Sequence, residues 1–203
     1  MAALDFDLNP DRLLGRVALY KRLGPACIAV IFALISSCGL AQEGATDAQV
    51  KAAYLYNFGK FVTWRSDTAF SPDLFQICLL GKDPFGAILD STVAGEKIDR
   101  KQIRIRRFSK LQDIAGCNVL YVSASEEFRL AVILTEAERL HVLTVSDIPH
   151  FAEHGGNIGL VTHNDRIRFE VNRNTAERNH LSLSSELLKV AVRVIQKSTE
   201  ASR

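Results

Sequence analysis

His150 and His154 bracket a glutamate in His150-Phe-Ala-Glu153-His154, which fits the pattern H-x-x-E-H. On one turn of helix that spacing sets two imidazoles and a general base around a zinc ion, as in one class of zinc peptidases. Pro149 opens the segment and Gly155-Gly156 closes it, so barely two turns are available. A third protein ligand cannot be assigned from the sequence. The residues therefore read as polar positions of a short surface helix between strands, with no metal and no cofactor. Other catalytic arrangements are weaker still. A G-x-S-x-G elbow is absent, and Gly155-Gly-Asn-Ile-Gly159 precedes a strand pattern, whereas phosphate loops precede a helix. Glu126-Glu127 stands at a helix start, where carboxylates favour the dipole without any catalytic role. Hydrolase chemistry is therefore unsupported by these residues.

Residues suited to binding are better represented. In Ile167-Arg168-Phe169-Glu170-Val171, strand alternation puts Arg168 and Glu170 on one face and Phe169 and Val171 on the other. Such a charged pair beside apolar surface can orient a peptide or small ligand, or close as a plain cross-strand ion pair. Tyr54, Tyr56, Phe58, Phe61 and Trp64 exceed one apolar stripe at helical pitch, so at least one large ring must point outward or toward a groove. Lys97, Arg100, Lys101, Arg104, Arg106, Arg107 and Lys110 form the one concentrated basic stretch, with Arg104 and Arg106 opposite Ile103 and Ile105. A solvated strand face protected by charge explains it, and a docking patch for an acidic partner is the alternative. Without interleaved aromatics the stretch does not suit single-stranded nucleic acid. The whole-chain balance agrees: Lys+Arg 25 against Asp+Glu 23 leaves a net charge of +2.

The elements that must position these residues follow from periodicity. With 203 residues, 47% hydrophobic and 24% charged, the chain suits one domain with a substantial core. Thr46-Asp-Ala-Gln49 has capping-box spacing, and apolar residues then recur at helical spacing up to Trp64. A strand at 75–80, a Gly-Lys-Asp-Pro turn and a short helical pattern in Phe85, Ile88 and Leu89 follow. Next come an alternating strand at 102–108, a buried-type strand at 117–122 and a helix from Ser125 through Leu140. Phe128, Ala131/Val132 and Thr135 share a face of that helix. A strand at 141–145, a hairpin over 157–171 and a final helix from Ser184 or Ser185, with Leu187, Leu188, Val190/Ala191, Val194 and Ile195 as its stripe, complete the pattern. Strands alternating with helices predict an α/β domain over residues 46–197, its mixed, mostly parallel sheet flanked by helices and ending in a C-terminal hairpin, with a tail at 198–203.

The first forty residues are of another kind. Arg12, Arg16, Lys21 and Arg22 precede an uncharged run from Pro25 that ends in small residues at Ala41, which reads as a signal peptide over residues 1–41. An uncleaved anchor is one alternative. Ile35-Ser-Ser-Cys38 approaches the box for lipidation of Cys38, which supplies another: a lipid-anchored form. Each version exports the remainder. An exported domain then keeps Cys78 and Cys117, an even pair that fits one disulfide; two buried free thiols are the other reading.

Six segments in order carry a resemblance: residues 50–64 (VKAAYLYNFGKFVTW), Ile77-Cys-Leu-Leu-Gly-Lys-Asp-Pro-Phe-Gly86, Leu143-Thr-Val-Ser-Asp147, Gly156-Asn-Ile-Gly-Leu-Val161, Arg166-Ile-Arg-Phe-Glu-Val-Asn172 and Leu183-Ser-Ser-Glu-Leu-Leu188. Together they resemble the YfiR family of periplasmic regulators over nearly all of residues 48–195. The resemblance implies an exported, non-catalytic α/β protein that represses the periplasmic domain of an inner-membrane diguanylate cyclase, controlling cyclic di-GMP and biofilm output. An outer-membrane lipoprotein relieves that repression by sequestering the repressor. It implies a disulfide between Cys78 and Cys117, and partner contact near Arg168 and Glu170; Trp64 joins these as a partner-binding candidate. A homodimer is expected. Around residues 151–160, where some members carry a second cysteine pair, this chain has none, which argues against a redox-gated loop. Related domains also serve histidine kinases as sensory modules. The alternatives are therefore a ligand-binding sensor acting on such a kinase, with Trp64 or the Arg168/Glu170 pair in its pocket, and the zinc peptidase.

Overall fold

The computed structural model describes residues 46–64 and 70–196; the expected signal segment, Cys38 and the tail at 198–203 lie outside them. Helix α1 (Asp47–Phe61) starts where the capping box places it: Gln49 N donates to Thr46 Oγ1 (3.3 Å), and Thr46 N donates to Gln49 Oε1 (2.7 Å). Its buried face is Ala52, Leu55, Phe58 and Gly59. Gly59 is there for proximity, since a Cβ would stand 2.6 Å from Ile98 Cδ1 and 2.9 Å from Phe75 Cζ. The helix stops at Phe61 rather than Trp64. Val62 takes extended backbone and opens β1 (Val62–Trp64), which pairs antiparallel with β9 (Leu181–Leu183). β-Branched Val62 and Thr63 favour that extended course.

The remaining elements are β2 (Leu74–Leu80), α2 (Ala87–Val93), β3 (Lys97–Ile98), β4 (Lys101–Phe108), a 3₁₀ turn (Leu111–Ile114), β5 (Val119–Val122), a second 3₁₀ turn (Ala124–Arg129), α3 (Leu130–Arg139), β6 (Leu143–Ser146), β7 (Ile158–His163), β8 (Arg166–Asn172), α4 (Arg173–Arg178), α5 (Ser185–Val190) and β10 (Arg193–Ile195). One sheet runs β10-β8-β7-β6-β5-β2-β4-β3. Neighbours from β4 through β7 are parallel, whereas β8 is antiparallel to β7 and β3 to β4. The β7–β8 hairpin turns on Asn164 and Asp165, both at positive φ (50° and 56°), as a two-residue hairpin of this twist requires. The expected α/β architecture with a mixed, mostly parallel sheet is the observed one.

Strand alternation sorts the core into two clusters on opposite faces. Phe75, Ile77, Leu79, Val119 and Tyr121 belong to one, with Leu55, Phe58 and Leu89 from α1 and α2. Cys78, Leu80, Leu120 and Val122 belong to the other, with Ile133 and Ala137 of α3. Within this second cluster Cys78 and Cys117 form a disulfide, both fully buried, with Cα atoms 5.9 Å apart. Buried Asn157 fastens the start of β7 to β6. Its Oδ1 accepts from Thr144 N (2.8 Å), Thr144 Oγ1 (2.9 Å) and Asn179 Nδ2 (3.2 Å).

Three further expectations are corrected. The segment 125–140 is a 3₁₀ turn followed by α3, and its core face is Leu130, Ile133 and Ala137. The predicted face is the solvent side, with Phe128 83% and Val132 60% exposed. The final helix ends at Val190, and Val194 and Ile195 lie instead in β10, parallel to β8 with Val194 opposite Val171. The β-branched run there satisfies a sheet edge better than a helix. The segment around His150 is a series of turns, not a helix, with His150 itself at φ 58°.

The disulfide closes a loop with a sequence separation of 39. Replacing both cysteines (Cys78→Ala with Cys117→Ala) is expected to remove roughly 4 kcal/mol of stability by the loop-entropy relation, measured by urea unfolding without reductant. An unchanged unfolding midpoint would show that the bridge contributes nothing.

Candidate functional site

Parallel strands with both faces covered leave their ends as the place where polar groups can gather. Asp147 follows β6 directly. Its Oδ1 accepts from the Tyr121 hydroxyl (2.7 Å) and its Oδ2 from Lys51 Nζ of α1 (2.6 Å). Tyr121 rises from β5 through the core, edge-on to Phe85 with centroids 4.9 Å apart. Burial pushes the Asp147 carboxyl up, but the Lys51 ammonium and the Tyr121 hydroxyl outweigh it and hold it below its ordinary range. Burial, followed by the bond to Asp147, drives the Tyr121 hydroxyl far upward, so it remains a donor.

Beside this junction opens a crevice of about 550 Å³ at the ends of β6 and β7, lined by Lys51, Asp147, His150, Glu153, Glu170 and Arg193 among others. Arg193 stands opposite Glu170 in the β10–β8 register and donates to Glu170 Oε2 (2.8 Å) and to Glu153 Oε1. His150 Nδ1 lies 2.9 Å from Glu153 Oε2. The Arg193 bond, more than His150, holds the Glu153 carboxyl below its ordinary range. Of the H-x-x-E-H residues, His150 and Glu153 thus join a chain of polar contacts to Arg193, and His154 does not. The two imidazoles have centroids 6.3 Å apart, and among the described residues no three His, Cys, Asp or Glu side chains converge on a metal position.

The residues picked out from the sequence are only partly brought together. Glu170 lines the crevice, but its partner is Arg193, not Arg168. Arg168 is exposed two residues before Glu170 on the same face of β8, lines a separate hollow of about 260 Å³ with Asp47 and Arg166, and bonds to no carboxylate among the described residues. Trp64 lines neither hollow. It packs edge-on against Phe75 (5.3 Å) and Phe70 (6.3 Å), with Nε1 buried and no acceptor among the described residues. The outward ring of α1 is Phe61, 39% exposed beside an apolar hollow shared with Leu187 and Val190. Arg193, Lys51 and Asp147 escaped sequence reasoning. Arg193 sat in a predicted helix, and the other two meet across 96 positions.

A sequence profile described as YfiR/HmsC-like matches residues 48–192. The chain belongs to the YfiR/HmsC-like family. That family is known as regulatory rather than catalytic. None of the curated proteins matches it. Among solved structures it is similar to a conserved domain protein from Vibrio cholerae, with 10% identity and a TM-score of 0.52, over 73% of this chain and 60% of that one. A further similarity is to an ABC domain in complex with L-Trp from Streptococcus pneumonia, with 11% identity and a TM-score of 0.47, over 71% and 60%. The chain spans 60% of the length of both. At such identity the first likeness shows a shared fold alone. No helix among the described residues is long and apolar enough to cross a membrane.

Because its folded-state pKa is depressed, the Asp147 carboxylate contributes stability above its ordinary value of 3.8 and loses it as pH falls through the folded value. Asp147→Asn is therefore expected to cost about 1–3 kcal/mol at neutral pH. Denaturant unfolding of both proteins across the pH range should show the gap closing in acid. A gap of constant size would contradict the ionic assignment.

Proposed function

We propose that this chain is an exported, non-catalytic repressor that binds the periplasmic domain of an inner-membrane diguanylate cyclase and holds it inactive. Export through the segment 1–41, with lipidation at Cys38 as the anchored variant, belongs to the same reading, as do a homodimer and release by an outer-membrane lipoprotein. The observation that carries it is the family match across the folded domain, joined to a crevice whose charged groups neutralise one another. Glu153, Glu170 and Asp147 each hold a cation, so none is set as a free base or nucleophile. What such a surface does well is bind one conformation of a partner in preference to another, and differential affinity is all that repression requires.

Arg168 is the partner-contact candidate whose replacement disturbs least, being exposed and unpaired among the described residues. Arg168→Glu is expected to leave stability within about 0.5 kcal/mol of wild type. It should also lose the membrane protein that wild type captures by cross-linking in the native envelope, identified by mass spectrometry as a diguanylate cyclase. Equal capture by both proteins would remove Arg168 from the interface. Capture of a histidine kinase in place of a cyclase would overturn the partner assignment.

A further inference from the structure

The eight-stranded sheet has one edge that is scarcely covered. β3 pairs only with Lys101 and Gln102 of β4, in the register Ile98 to Lys101 and Lys97 to Gln102. Residues 103–108 have β2 on one side and, among the described residues, no strand on the other. In a parallel ladder alternate residues serve a given neighbour. Gln102 N donates to Asp73 O (3.1 Å) and Phe108 O accepts from Gly81 N (3.0 Å), which assigns Gln102, Arg104, Arg106 and Phe108 to β2. Ile103, Ile105 and Arg107 therefore direct their N–H and C=O groups to the open side.

The basic stretch divides sharply along this edge. Arg106 is bound internally, donating to Asp113 O (2.9 Å), Ala115 O (3.1 Å) and Gln76 Oε1 (3.2 Å). Arg107 is held by Asp83 (2.6 Å) and Asp90, and Lys101 Nζ donates to Ser71 O (3.0 Å). Lys97, Arg100, Arg104 and Lys110 are exposed and bond to no carboxylate among the described residues. Lys97 stands opposite Gln102, so it shares a face with Arg104. Asp99, in the β3–β4 turn, is the one carboxylate between Lys97 and Lys110. Cations along a free edge repel a second copy of the same edge, and they attract a strand of opposite charge.

We propose that the open edge of β4 is a β-augmentation site for an extended acidic segment of a partner protein. The incoming backbone pairs with Ile103, Ile105 and Arg107, and its carboxylates meet Lys97, Arg100, Arg104 and Lys110. The inference concerns a different surface from the crevice and stands independently of the diguanylate cyclase reading.

The test uses the purified full chain and three labelled octapeptides: (Glu-Val)4, (Lys-Val)4, and (Glu-Val)4 N-methylated at every residue, which keeps the charge but has no backbone donor. Fluorescence anisotropy should show saturable binding of the first, none of the second, and at least tenfold weaker binding of the third. Lys97→Glu with Arg104→Glu should weaken the first at least tenfold with an unchanged melting temperature. Hydrogen exchange should show new protection at the amides of Ile103, Ile105 and Arg107. Equal binding of the methylated peptide would reduce the site to simple ionic attraction and overturn strand addition. Protection on another surface, or no saturable binding of (Glu-Val)4, would overturn the site itself.

Discussion

The structure depends on burying both faces of its central parallel strands. In β2 and β5 successive side chains enter opposite cores, with Ile77, Leu79 and Tyr121 under α1 and α2, and Cys78, Leu80 and Leu120 under α3. A strand enclosed in this way has little room for polar side chains on its faces, and those it carries, such as Tyr121 and Gln76, are hydrogen-bonded. Around these strands, charged groups gather chiefly where strands end or where the sheet itself ends. The charged crevice at the ends of β6 and β7 and the cationic edge of β4 are those two places.

They differ in how their charges are used. At the crevice, Lys51, Asp147 and Tyr121 tie α1 to the sheet, and Arg193 gathers Glu153 and Glu170 from a turn and a neighbouring strand. Paired groups of this kind fix geometry, and each carboxylate already holds a cation. At the β4 edge, half-buried Arg106 and the Asp-bound Arg107 hold local structure, while the cations beside them face solvent. Both arrangements suit recognition of another protein. That agrees with a family whose role is regulatory.

Much of the fold was legible because its determinants are local. The capping box at Thr46, the hairpin turn at Asn164-Asp165 and the alternation in β2, β4 and β5 need no tertiary information. Failures arose where local periodicity is ambiguous. Phe128 and Val132 match a helical stripe as well as Leu130 and Ile133 do, and only the position of the sheet decides which stripe is buried. Residues 190–195 fit a helical repeat by hydrophobicity, yet their β-branched content suits the strand that β8 offers. The misplacement of Arg193 followed from that ambiguity, and with it the pairing of Glu170. The Lys51–Asp147 contact spans too much chain for any spacing rule to reveal.

The proposed action is binding to a membrane diguanylate cyclase from its periplasmic side. Its most direct test is the rate of cyclic di-GMP synthesis in spheroplasts of cells lacking this protein, with purified protein added to the outside at increasing concentration. Binding of that kind should give a saturable fall in synthesis that requires no metal or cofactor in the titrant. A rate unaffected at saturating protein, with the cyclase shown to be present and active, would contradict it.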